Sequence, residues 1–128
     1  MTITDEPATA ESTKPTAAEK ADVCDKAADV IEANGFYRHY LYNATQARGG
    51  TALEFCAVDL YGAINIAAGG TPRYTGRDTL AWETEKAVLA RSGEFSLVNW
   101  CTRPGNDQVA AARLLRDTAD QLRDGVAK

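Results

Sequence analysis

The apolar positions of residues 51–70, TALEFCAVDLYGAINIAAGG, recur in steps of three and four. Leu53, Cys56, Ala57, Leu60, Ala63, Ile64 and Ala67 therefore fall on one broad helical stripe. Thr51 with Glu54 three residues on reads as a capping box, and Gly69-Gly70 as a stop. Only Glu54, Asp59, Tyr61 and Asn65 interrupt the apolar character, which predicts a central helix covered on most of its circumference. A first helix is predicted from Thr16, where T-A-A-E repeats the capping-box pattern, to Asn34-Gly35. It buries Val23, Cys24, Ala27, Val30 and Ile31 and leaves Asp22, Asp25, Lys26, Asp29 and Glu32 in water. A third helix, less amphipathic, runs from a cap at Asp78 or Thr79 to about Arg91, with Leu80, Ala81, Ala87, Val88 and Leu89 as apolar members. The last is capped by Asn106 or Asp107, buries Ala111, Leu114, Leu115, Ala119 and Leu122, and closes at Gly125. Its charged outer face, with Arg113, Arg116, Asp117, Asp120 and Arg123, is set for pairs along the helix.

Two stretches have no decisive period. Residues 95–101, FSLVNWC, suit either a strand or a short buried helix. Residues 36–42, FYRHYLY, hold four of the chain's ten Phe, Tyr and Trp rings, and both faces of the alternation are mixed. The resulting fold class is mainly α: a compact four-helix domain over residues 16–125, with residues 36–42 as a short aromatic β-hairpin or an extended arm. Residues 1–15, rich in Thr, Ala, Glu and Pro, form a disordered tail ahead of it.

Composition narrows the functional classes. A length of 128 residues allows one core, and 45% hydrophobic with 25% charged residues is the make-up of a globular domain. The net charge of −4 argues against a nucleic-acid surface. No apolar run approaches the roughly 20 residues a bilayer span needs, and the N-terminus lacks the basic-then-apolar order of a signal peptide. A cytoplasmic location follows. Cys24, Cys56 and Cys101 are odd in number and widely spaced, as suits reduced thiols.

Three pieces carry a resemblance: A-A-D-V-I-E-A-N-G-F (27–36), C-A-V-D-L-Y-G-A-I-N-I-A-A-G (56–69) and V-N-W-C-T-R-P-G-N-D-Q-V-A-A-A-R-L-L-R (98–116). Together they resemble a group of small actinobacterial and actinobacteriophage proteins classed as a domain of unknown function. The chain departs from that pattern in the wider spacing of Cys56 from Gly62-Ala63 and in Cys101, where an acidic residue is common. The resemblance implies a compact, mostly helical accessory protein, phage-borne in some members, and supplies no catalytic residues.

Among candidate chemistries, a zinc site from His39 and the three cysteines lacks close-paired ligands, so no metal or cofactor is expected. Cys101, before a helix start and beside Arg103, is the best placed thiol for a nucleophile, yet no catalytic set surrounds it. The leading expectation is a non-enzymatic protein–protein interaction or regulatory module, phage-encoded and acting on a host protein, or self-associating. Its partner surface is Phe36, Tyr37, Arg38, Tyr40 and Tyr42. The alternative is a small-ligand or anion-binding protein, with Arg48, Gly49, Gly50 and Thr51 at a helix N-terminus and Arg73 and Arg77 as a second basic corner.

Overall fold

A computed structural model of the chain describes residues 14–74 and 77–127. The expected tail, apart from Lys14 and Pro15, lies outside the described residues. The fold is mainly α. Helix α1 (Ala17–Asn34) opens with the capping box read from the sequence: Glu19 N–H donates to Thr16 Oγ1 at 3.0 Å, and Thr16 N–H donates to Glu19 Oε1 at 2.9 Å. Short α2 (Ala44–Arg48) and a 3₁₀ turn (Leu53–Phe55) follow, then α3 (Leu60–Ala67), α4 (Asp78–Ser92), α5 (Leu97–Thr102) and α6 (Gln108–Ala127).

The most extensive packing joins α1 to α6, where Ala21, Ala27, Ala28, Ala111, Ala112 and Ala119 keep the helices close around Ile31 and Leu115. Helix α3 packs on α1 with Leu60, Ala63 and Ile64 fully buried, and α4, against both α1 and α6, adds Leu80, Ala81 and Val88. Thr84 and Thr118 are buried without cost in unmet hydrogen bonds, because each hydroxyl donates to the carbonyl four residues back, 2.7 and 2.8 Å away.

Four expectations change. The central helix spans only Leu60–Ala67. Its cap is Asp59, whose Oδ1 accepts the Gly62 N–H at 2.8 Å; the Thr51–Glu54 pair caps nothing. The stretch before it is claimed by non-local bridges. Tyr37 N–H donates to Val58 O at 2.8 Å and Val58 N–H to Gly35 O at 3.1 Å, while Asn43 N–H donates to Ala57 O at 2.9 Å. Val58 thus stands between Phe36 and Tyr42, and residues 36–42, bent at 38–41 with Leu41 at a positive φ, form an arm that loops out and returns to Val58, neither the hairpin nor the extended form expected. Second, residues 97–102 are the helical option of the two, opened by Ser96, whose hydroxyl accepts the Asn99 N–H at 3.1 Å. Third, α4 begins without a side-chain cap from Asp78 or Thr79, and α6 continues through Gly125. Fourth, Arg116 and Arg123 pair across to α1 instead of along α6: Arg116 with Asp29 and Glu32 at 2.8 and 2.7 Å, Arg123 with Asp22 and Asp25 at 2.9 and 2.8 Å.

Candidate functional site

The five residues expected to form a partner surface have divergent fates. Phe36 turns inward and meets Trp100 edge to face, with centroids 6.3 Å apart. Tyr42 packs against the core beside Val58. The Arg38 guanidinium closes the C-terminal end of α5, donating to the carbonyls of Asn106 (3.0 Å), Arg103 (3.2 Å) and Cys101 (3.4 Å). A cation placed on helix-end carbonyls stabilises the turn and is unavailable to a partner. Tyr37 stacks edge-on against His39 and is half-buried. Tyr40 alone projects, 60% exposed.

Tyr40 reaches a second aromatic region. Its ring meets Tyr61 of α3 edge to face at 6.3 Å, and Tyr61 lines a groove of about 100 Å³ with Trp82, Glu85, Lys86, Leu89 and Leu97. Four of these residues belong to α4 at positions 82, 85, 86 and 89, one helical stripe beside the buried stripe of Leu80, Ala81, Thr84 and Val88. Leu97 is buried and forms the floor. Trp82 is 59% exposed, and its face is covered in part by the Lys86 ammonium, 4.4 Å from the ring centroid.

Two carboxyls belong to this region. Asp59 is 1% exposed; burial pushes its pKa up, against the pull of the Gly62 N–H and neighbouring backbone donors. Glu85 sits at the groove, where desolvation first and the Asp59 charge second raise it from 4.5 to about 7. Its carboxyl makes no hydrogen bond or ion pair among the described residues. Tyr61 is raised in turn by burial and then by Glu85 and Asp59. Two acids and a phenol thus share one poorly hydrated corner, with Lys86 drawn off to Glu83 at 3.4 Å.

The other sequence candidates find different settings. Arg48, Gly49, Gly50 and Thr51 stand at the C-terminal end of α2, not at a helix N-terminus. The amides of 49, 50 and 51 all donate to α2 carbonyls, at 3.0–3.1 Å, so the local field is negative and the donors are committed. Arg73 is exposed in a turn closed by Thr71 and Tyr74, and Arg77 lines a shallow depression with Glu19, Asp22 and Lys26. Residues 75 and 76 between them lie outside the described residues. All three cysteines are free and buried. Burial lifts the Cys24 and Cys101 thiols to about 12, the reverse of what a nucleophile needs. Among the described residues no group of three or more His, Cys, Asp or Glu is placed to hold a metal ion, and no helix is long and apolar enough to cross a membrane.

Comparison with known proteins gives the family. The model of a family of unknown function, DUF6197, matches residues 15–121, so the chain belongs to that family. No curated protein and no solved structure matches it.

Proposed function

We propose that this member of DUF6197 is a non-enzymatic protein-interaction module, acting in a reducing, cytoplasmic setting and docking a partner on the surface formed by Tyr40, Tyr61 and Trp82. The observation that carries this reading is the meeting of three rings from three separate elements, two of them more than half exposed: Tyr61 and Trp82 line one groove, and Tyr40 flanks it against Tyr61. Rings that merely covered the end of a small core would be buried, as Trp100 is, whereas Tyr40 and Trp82 stand in the open. Aromatic anchors beside a polar rim are the usual make-up of the strongly contributing part of an interface. Phe95 and Val98, exposed on either side of Leu97 in sequence, add further apolar surface. A reducing compartment suits three buried free thiols.

The test is affinity capture with the wild type and a Trp82→Ala/Tyr40→Ser double variant, read by quantitative mass spectrometry. Both residues are exposed, so the double variant keeps its melting temperature within a few degrees. A partner, or a second copy of the chain, enriched on the wild type and lost from the variant is the expected result. Identical captured sets refute the surface.

A further inference from the structure

We propose that the groove of the interaction surface receives an arginine side chain from the partner protein, its guanidinium against the Tyr61 ring and paired with the Glu85 carboxyl. The proposal deepens the interaction reading and rests on it for the partner, but not for the chemistry of the groove.

Charge complementarity is the first argument. Glu85 has no hydrogen-bond or ion-pair partner among the described residues although it is partly buried, and the buried Asp59 carboxyl behind it adds a second negative charge. The one cation lining the groove, Lys86, is engaged by Glu83 on its own helix. The Tyr61 ring offers the second argument: Lys86 already covers part of the Trp82 face, whereas the Tyr61 ring, lining the same groove, carries no cation among the described residues. The third is size. A cavity of about 100 Å³ is well below the roughly 300–1,000 Å³ typical of small-molecule pockets, yet suits the planar head of one side chain. Arginine is favoured over lysine because a flat, weakly hydrated guanidinium stacks on rings and pairs with a carboxylate through two N–H groups at once. The raised Glu85 pKa agrees with a carboxyl that lacks its counter-ion.

The experiment titrates the full chain with N-acetyl-arginine amide, followed by ¹⁵N NMR, with N-acetyl-citrulline amide as the neutral isostere and N-acetyl-lysine amide as the point-charge control. Saturable shifts of the Trp82 indole N–H and the Tyr61 and Glu85 amides are expected for the arginine probe alone, with affinity lowered about tenfold by Glu85→Gln. Equal shifts from citrulline, equal affinity for lysine, unchanged affinity in Glu85→Gln, or no saturable shift up to about 50 mM probe, well beyond the millimolar range of weak sites, each overturn the proposal. Failure here with partner loss in the Trp82→Ala/Tyr40→Ser variant leaves the surface and removes its arginine. Probe binding with unchanged capture does the opposite.

Discussion

Replacing Glu85 by Gln should stabilise the fold above neutral pH and leave it unchanged in acid. The folded protein keeps the Glu85 proton to about pH 7, whereas an unfolded glutamate releases it near 4.5. Between these values the folded state binds more protons, so this residue's contribution to stability is fully present below about pH 4.5 and is lost as pH rises through 7. At full strength the difference corresponds to about 3 kcal/mol, and partial contact of the carboxyl with water reduces it to about 1–2 kcal/mol. Glutamine has nearly the same shape and cannot ionise. Urea denaturation of both proteins at pH 5, 6, 7 and 8, read by tryptophan fluorescence, should show curves that coincide near pH 5 and separate by about 1–2 kcal/mol at pH 8. Asp59, Tyr61, Tyr40, Cys101, Glu83 and Lys86 face or flank the same corner, and they remain in both proteins, so the difference between the two isolates Glu85. A constant gap across the whole pH range would refute the assignment of Glu85 to a dehydrated site.

Two further substitutions test the frame that holds the groove. Gly62→Ala drives a methyl group into the Leu41 carbonyl and against Val58, and should destabilise by about 2–4 kcal/mol in chemical denaturation; a loss under 0.5 kcal/mol would deny the close approach of arm and helix. Leu60→Ala removes a fully buried side chain from α3 and should cost about 2–5 kcal/mol; a midpoint shift worth well under 1 kcal/mol would take α3 out of the core.

Local signals were legible where the partners of a residue are local. The Thr16–Glu19 box, the Asn34-Gly35 stop and the stripes of α1 and α6 depend on neighbours three or four residues away, and the structure keeps them. The start of α3 was misread because two capping signals compete within nine residues. Asp59 prevails because the intervening backbone pairs with residues 35, 37 and 43, and no window of sequence displays that pairing. The role of Arg38, expected on a partner surface, is hidden for the same reason: the three carbonyls that bind it lie 63 to 68 residues away. The groove had a visible trace in Trp82, Glu85, Lys86 and Leu89 at helical spacing, but ring, acid, base and aliphatic on one stripe lower the amphipathic contrast and read as a weak helix. Its completion by Tyr40 and Tyr61, which meet across 21 residues of chain, is tertiary information.

The double attachment of Val58 turns the aromatic arm into a ruler of set length. Its ends are fixed by bridges at Phe36 and Tyr42, and within it Leu41 holds a positive φ of 61° that aims its carbonyl at the Asp59 N–H, 3.3 Å away. Adding or deleting a single residue at 37–41 would rotate that carbonyl off the start of α3 and lift Tyr40 away from Tyr61. Substitution in the arm is therefore tolerated at a position such as the exposed His39, away from the ties of Phe36, Arg38 and Tyr42, whereas changes of length are confined to the exposed connection through α2 and the 3₁₀ turn, where residues 44–55 contain no buried side chain. New surface can be grafted onto this domain at that connection without disturbing the spacing of the rings.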